Sequence, residues 1–259
     1  MLIAVWAGRR LNLVSGWIQK LGESLGRAAM PVIRKAQWSW QAVAGSEEER
    51  LRAEQEMGSV LALEIRQKSE LTVPPEDAAM VTRLGGDLTR HVKDQRLAFR
   101  VEIVDLPEPS AMALPGGFIF LGASLLDFCH RYEDELAFVI GHEMAHVIRG
   151  HAADRLLEES AFRLVSGLMR RAGPLGALVK EAGFRVLDSA YSQEQEFEAD
   201  ELGSRLAEAA GHHPLAAVRL FERLQAVEGE PPALGQYFSS HPTPKERIGH
   251  LGRVWRGKA

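Results

Sequence analysis

One cysteine in 259 residues, Cys129, leaves no internal disulfide and no thiolate cluster for a metal. It reads as a small buried side chain. No apolar run reaches the ~18 residues that a membrane-spanning helix needs. Basic charge is not in excess either. The formal net charge is −4, whereas a dedicated nucleic-acid binder has a basic domain, so no nucleic-acid partner is expected. Aromatic residues make up only 7%. What is present, 46% hydrophobic and 25% charged residues, is the mix of a globular chain that can bury a sizeable core.

The aromatic and basic character is concentrated at the start. Trp6, Trp17, Trp38 and Trp40 are four of the five tryptophans. Residues 1–40 carry six basic side chains against one acid, a net +5, so with −4 overall the remainder carries −9. Leu11, Val14, Trp17, Leu21, Leu25, Ala28 and Val32 recur at three- and four-residue steps, the period of one helical face. Two readings follow: an amphipathic helix packed on the domain or a loosely ordered N-terminus, and, against it, an interfacial helix in peripheral contact with an anionic membrane. Leu2 to Ala7 is too short for the core of a cleaved signal and precedes the arginines. The expected organisation is therefore a basic, Trp-rich segment over 1–45 and one domain over 46–259. The chain is expected to be soluble or peripherally bound to a membrane.

Ser46 before three glutamates predicts a capped helix running to about Glu70. A second helix is expected from Glu76 to His91, after Pro74-Pro75. Leu97 to Val104 alternates and predicts a strand. Ala111 to Leu114 and Phe118 to Leu121 read as two extended pieces around the turn Pro115-Gly116-Gly117. The rest is helical, with a break at Gly150 among others. The fold class is thus α+β, mainly helical, with one small β-sheet beside the helix described next.

That helix, Glu133 onward, contains His142-Glu143-Met144-Ala145-His146, an HExxH motif. Residues four apart on a helix differ by about 40° in direction, so both imidazoles can reach one Zn²⁺. Glu143 adjoins the first ligand and can act as general base toward a water on the metal. The segment Leu136 to Ile140 is apolar on nearly every side, which predicts burial, and buried histidines demand a partner. A third ligand is still needed. A metzincin would place a histidine at position 152, which is Ala152. His151 lies about 140° round a continuous helix from His146 and is expected to point away, as a helix-end or packing residue. In Tyr191 to Asp200 three glutamates compete. Glu194 and Glu198 share a face with Glu201 and Arg205, which looks solvated. Glu196 shares a face of small residues with Ala199, Gly203 and Ala207, so it is the expected ligand. Asp200, one turn further, can accept the free N–H of a ligand imidazole and fix its orientation.

HExxH with a downstream glutamate in an ExxxD pattern resembles the gluzincin peptidases of the HtpX and CAAX prenyl protease type. That family also contains soluble periplasmic quality-control enzymes, including the β-barrel-assembly-enhancing protease. The resemblance covers roughly residues 50–255, with Ala113 to Gly117, the HExxH helix, Ser192 to Asp200 and His241 to Arg247 in family order. It departs at Ser110-Ala111-Met112, where the family often has Asn-Ala-Phe, and at Gln193, where arginine is common. The resemblance implies a zincin-like fold and a zinc endopeptidase with one Zn²⁺ per chain, held by His142, His146 and Glu196, with Glu143 as base. It also implies that His241 and Arg247 gate the site or stabilise an oxyanion; a turn before a helix start explains the same residues equally well.

The expected reaction is hydrolysis of peptide bonds in unfolded or misassembled proteins, as in protein quality control. The substrate is expected to be extended and to add to a sheet edge by main-chain hydrogen bonds, with Phe118 to Leu121 as that edge. Two alternatives stand beside it: a catalytically silent zinc-binding chaperone or scaffold, and a membrane-surface adaptor acting through residues 1–40.

Overall fold

A computed structural model describes residues 46–106, 109–154, 191–227 and 243–256. The Trp-rich segment over 1–45 and His241 lie outside the described residues. Helix α1 spans Glu47–Lys68. The Ser46 hydroxyl accepts from the Glu49 N–H, and three glutamates occupy the first turn, as capping and the helix dipole favour. Helix α2, Pro75–Thr89, starts on a proline, whose missing N–H is no loss there. Three strands follow: β1 (Arg100–Val104), β2 (Ala111–Leu114) and β3 (Phe118–Gly122). Further helices among the described residues are α3 (Ala123–Phe128), α4 (Glu133–Ile148), α5 (Gln193–Ala209), α6 (Ala216–Val227) and α7 (Pro244–Arg256), and residues 151–154 form a helical turn after α4. The domain is α+β and mainly helical.

The sheet order is β1-β3-β2, with β1 parallel and β2 antiparallel to β3. The expected turn joins β2 to β3. Gly116 and Gly117 have φ of +77° and +86°, which side chains rarely adopt, and a Cβ on Gly117 would lie 2.1 Å from the Ala98 carbonyl oxygen. One expectation fails here. Phe118 to Leu121 is the central strand, buried at every position and paired on both sides, so it offers no edge. Four consecutive apolar residues are the signature of a strand covered on both faces, not of a rim. Among the described residues the edge beside α4 is β2, whose four residues are all half-buried.

Alternation along β3 divides the core. Ile119 and Leu121 point into a main cluster with Leu84 and Leu88 of α2, Leu136, Ile140 and Met144 of α4, Leu206 of α5, Phe221 of α6 and Leu251 of α7. Phe118 and Phe120 point to the other face and meet Ala62 and Ile65 of α1. Arg66 of α1 reaches across to the Glu102 carboxylate on β1, closing that layer.

The turn into α4 is held by charge. His130 and Arg131 both have positive φ, +50° and +54°, a conformation costing about 1 kcal/mol or more per residue without glycine. Arg131 answers with two hydrogen bonds to Asp77, at 2.9 and 3.0 Å, and one to Asp127 at 2.7 Å. The first turn of α4 is pinned by Glu135, fully buried and paired twice with Arg223 of α6. Cys129, beside this turn, has no exposed surface, and burial pushes its thiol up to about 12. The native protein is therefore expected to leave a thiol reagent such as DTNB unreacted at pH 8, and to yield one thiol per chain once unfolded. Stoichiometric labelling of the native chain would mean this corner opens readily.

Candidate metal centre

Helix α4 carries His142 and His146 on one face, and both are buried. Their Nε2 atoms stand 3.1 Å apart. Glu143, between them in sequence, is also buried. Helix α5 supplies the third group. A capping box starts it: the Gln195 N–H donates to Ser192 Oγ, and the Ser192 N–H to Gln195 Oε1. Glu196 follows in the first turn, fully buried. Its carboxylate oxygens lie 3.6 Å from His142 Nε2 and 3.4 Å from His146 Nε2.

The reach of Glu196 depends on how closely α4 and α5 cross. At the crossing, a Cβ on Gly203 would lie 2.6 Å from the His142 backbone nitrogen, and one on Gly141 would lie 2.7 Å from the Gly203 carbonyl oxygen. Backbone touches backbone, as the small-residue face of α5 predicts. Glu194, Glu198 and Arg205 are exposed, and Glu196, Ala199, Asp200, Gly203 and Ala207 are buried, which separates the two faces as the periodicity does.

Behind the first imidazole sits an anion. Asp200 Oδ1 is 3.0 Å from His142 Nδ1. Arg247 of α7 clamps Asp200 through Nε and Nη2, at 2.8 and 2.5 Å, and its guanidinium lies over the Phe221 ring at 4.3 Å. Burial alone would raise the Asp200 pKa, but the Arg247 charge and the hydrogen bonds from Arg247 and His142 outweigh it and hold the carboxyl below its usual range. Burial likewise opposes a charge on His142, yet its bond to Asp200 and the nearby Glu196 keep its pKa above the ordinary histidine value. His146 goes the other way, pushed down to about 3, first by burial.

These positions answer the sequence reading residue by residue. His142, Glu143, His146, Glu196 and Asp200 are brought together. Arg247 is brought to the same cluster from α7. It is 1% exposed; its Nε and Nη2 grip Asp200 on the Nδ1 side of His142, and its Nη1 lies 3.7 Å from Glu196 Oε2. The reason is the fold: α7 lies against α5 and α6 and delivers Arg247 to the buried side of the helix crossing. His151 departs most. It is buried, and its Nδ1 lies 3.1 Å from His146 Nδ1. The helix does not continue to it: α4 ends at Ile148, and Gly150 adopts φ +78°. Tyr191 was also not read as part of the site; its ring stacks on His146 at 3.8 Å and 17°. The Gly150 break carried the signal for His151, whereas nothing local announced Tyr191.

The donor set fits a divalent metal. The Nε2 atoms of both histidines converge with the Glu196 carboxylate in a buried space, and Asp200 lies on the Nδ1 side of His142. Tetrahedral ligands at 2.0–2.1 Å from zinc are separated by about 3.3 Å. The contacts here, 3.1, 3.4 and 3.6 Å, bracket that edge. His142, His146 and Glu196 are also the one group among the described residues whose ligand atoms gather in this way.

An HExxH helix crossed by a second helix that adds a buried glutamate is the gluzincin arrangement. Residues 75–254 match the family described as Peptidase family M48, and the chain belongs to that family. Over 156 residues it is 32% identical to the mitochondrial metalloendopeptidase OMA1 of Schizosaccharomyces pombe, covering 59% of this chain and 45% of that protein. It is 29% identical over 198 residues to the metalloprotease LoiP of Escherichia coli, covering 71% and 73% of the two chains. With the β-barrel assembly-enhancing protease of Escherichia coli it shares 25% over 213 residues, 75% of this chain and 42% of that one. The chain thus spans less than half the length of the first and third of these relatives. No helix among the described residues is long and apolar enough to cross a membrane.

Proposed function

We propose that this chain is a zinc-dependent metalloendopeptidase that cleaves extended segments of unfolded or misassembled polypeptides. The observation that carries the reading is the convergence of His142, His146 and Glu196 with Glu143 one residue from the first ligand. When bound, a zinc ion supplies a Lewis acid that polarises a peptide carbonyl and lowers the pKa of a water. The protein's own groups do the rest. Nε2 of His142 and of His146 and the Glu196 carboxylate hold the metal. Asp200, kept ionised by Arg247, accepts from His142 Nδ1–H and leaves Nε2 as the donor to the metal. The Glu143 carboxylate takes a proton from the attacking water and passes it to the nitrogen of the departing amine.

Substrate recognition falls to β2 under this reading. It is the sheet edge next to α4, and an extended peptide can pair with it through main-chain groups, whatever its side chains. Such recognition suits unfolded chains of varied sequence. The name of one relative, a β-barrel assembly-enhancing protease, supports a role in quality control. The test is digestion of an unfolded protein such as casein by the purified chain. Cleavage is expected to stop with a chelator and to return with added zinc. Digestion that a chelator leaves untouched would sink the reading.

A further inference from the structure

His151 has no part in the chemistry above, yet it is buried against a metal ligand. Gly150, at φ +78°, ends α4 and lets residues 151–154 start a new helical turn. That reversal swings the His151 ring back until its Nδ1 lies 3.1 Å from His146 Nδ1. Two nitrogen lone pairs do not face each other at that distance; one nitrogen carries the hydrogen. His146 directs Nε2 at His142 and Glu196, so its proton resides on Nδ1 and is donated. His151 Nδ1 then accepts, and the proton of His151 resides on Nε2, which lies 3.8 Å from Glu198 Oε2 on α5. Tyr191, stacked on the His146 ring, keeps that ring in the plane where this contact is made.

We infer that His151 is the positioning residue for His146: its Nδ1 accepts the His146 Nδ1–H and fixes the tautomer that turns Nε2 to the metal. The two ligand imidazoles are thus supported differently. Behind His142 stands an ionised carboxylate neutralised by Arg247; behind His146 stands a second imidazole. The inference rests on the metal-centre reading above. It extends that reading to a residue that a continuous helix would have turned away.

The test uses the full chain with His151→Asn and His151→Phe. An asparagine side-chain oxygen falls near the place of Nδ1 and can accept; phenylalanine fills the space and cannot. Zinc affinity is measured by competition with a chromophoric chelator, and the geometry by the visible absorption of the cobalt-substituted protein. His151→Phe is expected to bind zinc about 10–100-fold more weakly and to move the cobalt bands. His151→Asn is expected to stay close to wild type in both. A folded His151→Phe protein with wild-type affinity and cobalt spectrum would overturn the inference, as would an asparagine variant no better than phenylalanine. Should His151→Phe fail to fold, imidazole nitrogen NMR of the zinc-loaded wild type decides. A proton on His146 Nδ1 and on His151 Nε2 supports the inference, and a proton on His151 Nδ1 overturns it. A wild-type chain that takes up no zinc would instead sink the metal-centre reading itself.

Discussion

Glu143→Gln is expected to bind zinc as the wild type does and to lose cleavage of unfolded casein by about 10²–10⁴-fold, the scale of a general base. The amide matches the carboxylate in size, so α4 should keep its packing. It cannot take a proton. Glu143 is buried on the same helix as both histidine ligands, and the contacts that gather His142, His146 and Glu196 run directly between those three side chains. Metal content and rate should therefore separate. Zinc is counted by elemental analysis and cleavage by release of labelled peptides from the same preparation. A fully loaded variant that cleaves at the wild-type rate would remove Glu143 from the mechanism. Loss of zinc along with activity would give it a structural role.

Gly203→Ala should damage both the helix crossing and the metal centre that depends on it. Its Cβ would lie 2.6 Å from the His142 nitrogen, 2.8 Å from the His142 Cα and 2.9 Å from the Gly141 carbonyl carbon. All three are backbone atoms on α4, so no flexible side chain can yield. The helices must part, and overpacking of this kind costs about 1–3 kcal/mol or more. For a domain of this size that is roughly 2–4 °C in Tm per kcal/mol. Parting also draws Glu196, two turns earlier on α5, away from both imidazoles, so zinc affinity should fall with stability. Gly86→Ala is the control. It lies within α2 with nothing within 4 Å of the new Cβ, and alanine there should stabilise by about 0.5–1 kcal/mol. Thermal melts of the two variants, with and without zinc, test the pair. A Gly203→Ala protein as stable and as tightly zinc-binding as wild type would mean that the crossing is looser than its geometry.

Much of the site was legible along the chain because helical periodicity is a local property. His142 and His146 share a face by spacing alone. The small residues in line with Glu196 distinguished it from Glu194 and Glu198, and the structure buries that face against α4. Asp200 followed from the same turn of helix. The β2–β3 turn could be read from Pro115-Gly116-Gly117, and burial of Cys129 from the general habit of a free cysteine as a small apolar side chain.

What the sequence determined by itself is what depends on neighbours a few residues apart: element type, which side chains share a face, and where a turn demands glycine. Only the tertiary structure decided which strand is an edge, because strand order depends on pairings between distant segments. It placed β3 in the centre and left β2 at the rim beside α4. Only the structure set Arg247 behind Asp200, because that position depends on how α7 lies against α5 and α6. His151 falls between the two. Gly150 signals a break, but the direction in which the chain resumes is set by the packing it returns to, and that direction carries the His151 ring to His146.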